Sequence, residues 1–79
     1  MPRYYFDIRD GDALIKDDEG TVLLDIADAQ IEAAHLLADM TVELSMRAAD
    51  LSGHAMSVEV RDTAGPAFSV GFAFSKEQI

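Results

Sequence analysis

One long stretch without glycine or proline, residues 21–52, most constrains how this 79-residue chain can fold. Apolar residues recur there every three or four positions, which predicts an amphipathic helix. Asp25 is a favourable N-cap residue, and Asp28 places a carboxylate in the first turn, where the helix dipole stabilises it. Gly53 follows as a residue type that often ends helices. We therefore predict one helix from Ile26 to Leu51.

Short strands are predicted on both sides of this helix, because apolar and polar residues alternate there. The predicted strands cover residues 3–9, 13–16, 21–25, 55–61 and 67–74. Their order, ββ(β)αββ, predicts an α+β fold: an antiparallel sheet of four to five strands with one long helix packed on one face. We expect residues 1–79 to form a single domain with a frayed tail at 75–79.

The predicted helix carries two apolar stripes. The first, which should face the sheet, contains Ile26, Ala29, Ala33, Leu36, Leu37, Met40, Leu44, Ala48 and Leu51. The second lies on the opposite side and contains Ile31, Ala38, Val42 and Ala49, flanked by His35 and Met46. A single helix on a single sheet leaves this second stripe in water, and a homodimer with antiparallel helices would cover it. The alternative is that alanine simply favours helices and that the other apolar residues are scattered on the surface.

The length of the predicted helix also favours a homodimer. A helix of roughly 25 residues is about 37 Å long. A strand of roughly seven residues spans only about 23 Å. The helix is therefore expected to extend beyond its own sheet by more than two turns unless it bends.

The composition excludes several classes of function. The net charge is −9, which disfavours binding to the phosphates of nucleic acids and favours basic protein partners, unless the charge serves only solubility. There is no cysteine, so disulfides, cysteine-based zinc sites and thiol nucleophiles are excluded. No signal peptide or membrane-spanning apolar segment is recognised, and a cytoplasmic location is expected.

The acidic stretch "RDGDALIKDDEG", residues 9–20, resembles a metal loop but does not match one. An EF-hand that began at Asp10 would need an oxygen ligand at its fifth position and a glycine at its sixth, where Leu14 and Ile15 stand. We interpret the acids and glycines as turn residues. Weak binding of a divalent cation to these acids is the alternative.

Other candidate chemistry is sparse. His35 and Asp39, one helical turn apart, could form an acid–base pair or half of a metal site completed by a symmetry mate, although a surface or interface histidine is the simpler reading. His54 is expected just past the helix, where a cation suits the C-terminal dipole. No serine lies in a G-x-S-x-G context and no phosphate-binding loop is present. We therefore predict no enzyme activity, cofactor or metal.

The chain resembles a family of short bacterial proteins of unknown function that open with M-P-[RK]-[YF]-[YF]-F-x-[IV]-x-[DN]-G, followed by D-x-x-G-x-x-[LF]-x-[DS] and an Ala/Glu-rich helix. The matching residues are Pro2, Arg3, Tyr4, Tyr5, Phe6, Asp10, Gly11, Asp17, Gly20, Leu23 and Asp25. This resemblance implies an α+β domain and brings no activity or ligand with it. More distantly, the chain is similar to the N-terminal domain of HicB-type antitoxins, which neutralise small basic RNA-cleaving toxins. That similarity implies a basic protein partner.

Three hypotheses about function follow. The first is a non-catalytic, acidic, homodimeric interaction module whose interface contains Ile31, His35, Ala38, Val42, Met46 and Ala49. The second is an antitoxin-like or inhibitor-like protein that binds a basic protein. The third is a small metal-binding protein or enzyme that uses His35 and the acids of residues 10–19.

Overall fold

The computed structural model describes residues 1–48 and 50–75 and confirms the α+β fold. Its elements are β1 (Arg3–Asp10), β2 (Ala13–Ile15), β3 (Thr21–Val22), α1 (Ile26–Arg47), β4 (Ala55–Asp62) and β5 (Gly65–Ala73). Ala49 and residues 76–79, which make up most of the predicted tail, lie outside the described residues. Among the described residues, no helix is long and apolar enough to cross a membrane.

The five strands form one antiparallel sheet in the order β2-β1-β4-β5. β3 pairs with the start of β1, at Arg3 and Tyr4, and β2 pairs with the end of β1. The central register places Ile8 opposite Val58, and Val58 opposite Val70. Because paired residues share a face of the sheet, this register collects the apolar residues of three strands on one side.

The core lies between that inner face of the sheet and α1. Its buried apolar residues are Tyr4, Phe6, Ala29, Ala33, Val58 and Val60. The partly buried residues that pack against them are Leu23, Leu36, Leu37, Met40, Phe68 and Val70. The two buried helix residues are both alanines, so the helix backbone approaches the sheet closely over β4 and β5. From Ala29 to Met40 the first predicted stripe faces the sheet as expected, whereas Ile26 is exposed and Ala48 and Leu51 lie beyond the end of α1.

The start of α1 is confirmed and its predicted end is wrong. The side chain of Asp25 accepts a hydrogen bond from the Asp28 amide (3.0 Å) and caps the first turn. The helix ends at Arg47 rather than Leu51, because Ala48 adopts an extended conformation. The Asp50 carboxylate then accepts a hydrogen bond from the Ser52 amide, a local turn that competes with helix continuation.

Gly53 does not end the helix, contrary to prediction. It lies in the turn before β4, with φ of 82°, and its amide donates a hydrogen bond to the Phe74 carbonyl (2.9 Å). His54 is likewise part of this turn and accepts a hydrogen bond from the Phe74 amide, so it does not sit at the helix terminus. The turn therefore fixes where β4 and β5 begin to pair.

Candidate interaction surface

The second apolar stripe of α1 is exposed in the single chain. Ile31 is 55% exposed, Val42 is 58% exposed and Met46 is 81% exposed. His35 and Ala38 are exposed on the same side of the helix. We call these five residues the helix stripe. Ala49, predicted to continue it, lies outside the described residues.

An acidic flank borders the helix stripe on one side. Residues three, four and seven positions apart share one side of a helix. This spacing aligns Asp28, Glu32, Asp39 and Glu43, which we call the acidic flank. Glu43 forms an ion pair with Arg47 (3.8 Å), one turn further along. The other flank of the helix has no charged residue: Ala27, Gln30, Ala34, Thr41 and Ser45 line it, and we call it the neutral flank.

His35 and Asp39 are both exposed on α1. Among residues 1–48 and 50–75, no group of three or more histidine, aspartate or glutamate side chains could hold a metal ion. The loop acids of residues 10–19 are therefore not gathered into such a site either. A metal site completed by a symmetry mate is only the alternative for His35, and the single chain does not test it.

A partly buried polar cluster lies on the outer face of the sheet, the face that α1 leaves uncovered. The sequence pattern did not predict it. Asp7 lies at its centre and is only 5% exposed, although it projects away from the apolar core. Arg61, on the neighbouring strand, donates from its Nε to a carboxylate oxygen of Asp7 (2.8 Å). The Arg61 guanidinium also stacks over the Tyr5 ring, with its carbon 4.4 Å from the ring centroid. We call Asp7, Asp17 and Arg61 the outer cluster.

Asp17 attaches the acidic loop to this cluster. Its carboxylate accepts hydrogen bonds from the backbone amides of Phe6 (3.1 Å), Glu19 (3.1 Å) and Gly20 (3.0 Å). The Phe6 amide lies in the gap between the pairing of β1 with β2 and the pairing of β1 with β3, so the carboxylate completes the edge of the sheet. The Asp17 amide in turn donates to Asp7 (2.9 Å). The acids of this loop thus bond to the protein's own backbone.

The glycines of the acidic stretch stand where the backbone reverses. Gly11 has φ of 59° and Gly20 has φ of 71°, conformations that residues with a Cβ adopt rarely. The Gly20 backbone also passes close to Arg3 and Tyr5: a Cβ there would lie 2.9 Å from Arg3 Cγ. This geometry supports the interpretation of the stretch as paired turns.

The charges of the outer cluster are held ionised. Burial acts to raise the pKa of Asp7, but hydrogen bonds from Arg61 and from the Asp17 amide outweigh it, and the pKa lies below the ordinary value of 3.8. Burial also acts to raise the pKa of Asp17, and its three backbone donors lower that pKa below 3.8 overall. The hydrogen bond to Asp7 raises the pKa of Arg61. Two stable carboxylates and a permanent cation suit structural bonding rather than proton transfer.

The remaining outer face is shallow. Arg9 forms an ion pair with Glu59 across the strands, and this bond raises the pKa of Arg9. A depression of about 530 Å³ lies beside the outer cluster and is lined in part by Lys16, Ser69 and Glu59. Asp7 and Arg61, which also line this depression, are bonded to each other.

The sequence around Asp17 of the outer cluster contains a recognisable pattern, but that pattern predicts only a turn. Asp17 and Gly20 form the D-x-x-G spacing, in which an aspartate side chain bonds amides two and three residues ahead. An aspartate in the middle of a strand, as Asp7 is, also calls for a charged partner. The arginine at position 61 could not be assigned to it before the register of β1 with β4 was known.

Comparison with known proteins identifies a family whose function is unknown. Residues 3–73 match a domain of unknown function, DUF6894, so the match spans the described elements from β1 to β5. No curated protein and no solved structure matches the chain. Nothing in these comparisons supports the similarity to HicB-type antitoxins, which stays a prediction. The chain belongs to the DUF6894 family of domains of unknown function.

Proposed function

We propose that this chain is a small, acidic, non-catalytic interaction module that forms a homodimer through α1. The exposed helix stripe is the observation that carries the proposal. Three large apolar side chains on it are more than half exposed, on a chain too small to bury them against its own sheet. A second copy beside α1 would shield part of this apolar surface from water and add to a core that is marginal at this size.

The outer cluster supports a structural rather than catalytic reading of the charged residues. Asp7, Asp17 and Arg61 bond to one another and to backbone groups, and together they hold the acidic loop on the sheet. The charged side chains that most resembled a functional site thus form bonds that stabilise the fold. Recognition then falls to the surfaces of the helix and of the sheet edges.

A charge substitution in the helix stripe tests the proposal. Ala38→Asp should raise the dissociation constant of the dimer at least about tenfold, because Ala38 lies where the helix stripe borders the neutral flank and the interface would have to bury an unpaired carboxylate. The control is Val22→Asp on β3, where the native valine is also exposed but lies away from α1. Sedimentation velocity over a concentration series measures both. Equal dissociation constants for Ala38→Asp and the native chain would contradict a dimer through α1.

The acidic flank favours a second candidate function, binding to a basic protein. Its four carboxylates lie on one side of α1, next to the helix stripe, and the whole chain carries a net charge of −9. Such binding should weaken steeply with ionic strength. The test is titration of the chain with the small basic protein encoded beside its gene, where there is one. An affinity that Asp39→Asn and Glu43→Gln together leave unchanged would exclude the acidic flank.

A further inference from the structure

We infer that the dimer is built on the free edge of β5, which pairs antiparallel with β5 of a second copy and extends the sheet across a two-fold axis. This inference rests on the proposed homodimer and specifies which side of α1 faces the partner: the neutral flanks of the two helices meet, and the helix stripe borders that contact through Ala38. β5 is the last strand in the order β2-β1-β4-β5. Within the described residues, no strand pairs with the edge of β5 that lies opposite β4.

The edge of β5 lacks the features by which proteins usually block such strands. An exposed edge strand is normally short, charged or covered, because its free amides and carbonyls bind other strands. β5 spans Gly65–Ala73 and contains no charged residue. Its proline, Pro66, stands next to the first residue and leaves the remainder of the strand able to pair.

The residues that present free backbone groups on this edge are small. The Phe74 amide bonds to His54 on the β4 side, and hydrogen-bonded pairs alternate along an antiparallel ladder. Phe72, Val70 and Phe68 therefore direct their backbone groups at β4. The residues between them, Ser69 and Gly71, direct theirs away from the sheet, with no bulky side chain on the outer face to obstruct a neighbour.

The charge distribution favours a second copy of the chain as the partner of the β5 edge. A chain with a net charge of −9 repels itself wherever its acids meet. The β5 edge brings no acid to a two-fold axis. A basic partner, by contrast, would find no carboxylate on this strand to pair with. Self-association is thus least opposed at β5.

The neutral flank of α1 lies on the same side as this edge. β3 and β4 both run antiparallel to β1, so they are parallel to each other, and α1 connects them. Such crossovers are right-handed. With that hand, α1 turns Ala34 and Thr41 toward the β5 edge and the acidic flank toward β1. Ala34 is one turn from Ala38 of the helix stripe, so edge, neutral flank and stripe are continuous.

The spacing of strands and helices fits this assembly. Neighbouring strands are about 4.8 Å apart, and α1 lies over β4 and β5. Each helix axis would then stand about 5 Å from the two-fold axis, and the two axes would be about 10 Å apart. Packed helices have axes about 8–10 Å apart, the smaller values being reached with small side chains. The register that pairs all of residues 67–73, the part of β5 beyond Pro66, centres on Val70, with Ser69 of one copy opposite Gly71 of the other.

Residue-resolved amide exchange on the native chain tests the inference. At a concentration where sedimentation shows a dimer, the amides of Ser69 and Gly71 should exchange at least about tenfold more slowly than in the diluted monomer. A dimer in which both amides exchange at the monomer rate would overturn β5 pairing and leave the dimer through α1 standing. A chain that stays monomeric would overturn both. Protection that arises only on addition of a basic protein would also overturn the inference.

A proline substitution provides an independent test. Ser69→Pro removes an amide that points away from β4, so it should raise the dimer dissociation constant at least about tenfold while the far-ultraviolet circular dichroism is unchanged. Ser69→Thr keeps the amide and is the matched control, with a native dissociation constant expected. A folded Ser69→Pro variant that dimerises as the native chain does would contradict pairing at β5. If that variant does not fold, amide exchange on the native chain decides.

Discussion

At the scale of single residues, the acids of this chain separate into two kinds. Most are exposed and supply net charge, and some of these, such as Asp25, also cap local turns, whereas Asp7 and Asp17 bond groups from distant parts of the chain. Asp17 alone accepts three backbone hydrogen bonds and so replaces a missing strand partner at the edge of β1. The difference between a solvated carboxylate and a structural one lies in the position of the backbone amides around it.

Replacement of Asp17 should reveal its role through the pH dependence of stability. Its pKa is lowered on folding, so its contribution is present above pH 3.8 and is lost as the pH falls below that value. At neutral pH, Asp17→Asn should lower the free energy of unfolding by about 1–3 kcal/mol. Urea denaturation from pH 7 to pH 2.5 should show the native chain and the variant converging in acid. Asp18→Asn, in the same loop, is the control, and a gap that persists undiminished at the lowest pH would contradict the assignment.

Gly20 should tolerate substitution less well than Gly11. Both have positive φ, but a Cβ on Gly20 would also meet Arg3 Cγ at 2.9 Å and the Tyr4 carbonyl oxygen at 3.0 Å, whereas nothing lies within 4 Å of one on Gly11. Gly11→Ala should cost about 1 kcal/mol for its backbone conformation. Gly20→Ala should cost about 1–3 kcal/mol more, since close packing is added. Thermal denaturation of the two variants measures the difference, and equal losses would show that the loop moves freely.

At the scale of elements, α1 shows what the sequence predicts well and what it does not. Its start was predictable, because the Asp25 cap is a local interaction. Its end was not, since Ala48 has a helix-favouring side chain and still adopts an extended conformation. The residues that were predicted to continue the helix instead form a turn, in which Asp50 accepts a hydrogen bond from the Ser52 amide and Gly53 bonds to Phe74. Similarly, the alternation of β1 predicted which side chains face the core, but only the register with β4 brings Arg61 to Asp7.

The close approach of α1 to the sheet gives a further prediction. Ala33 is completely buried against the core, so Ala33→Leu should force α1 away from the sheet and lower the free energy of unfolding by about 1–3 kcal/mol. Ala27→Leu, at an exposed position of the same helix, is the control and should change it by less than about 0.5 kcal/mol. Urea denaturation distinguishes them. An Ala33→Leu variant as stable as the native chain would mean that the helix is not seated as described.

At the scale of the whole molecule, the small size of the chain and its exposed apolar surface both favour association with a second copy. Within residues 1–48 and 50–75, six apolar residues are buried, and other apolar side chains are exposed along α1. The molecule is elongated, with extents of 48 × 22 × 22 Å, and an elongated domain has little interior for its surface. A second copy adds buried apolar area without adding length to the chain. Composition alone pointed to this need, but only the sheet order shows that β5 is a free edge.

The mass of the native chain in solution tests the central claim most directly. Sedimentation equilibrium from about 1 to 200 μM should give a mass that rises with concentration to twice 8.6 kDa and then levels off. A plateau at two chains follows from a two-fold interface, which closes on itself. A mass that remains at 8.6 kDa throughout would contradict the homodimer and with it the proposed function.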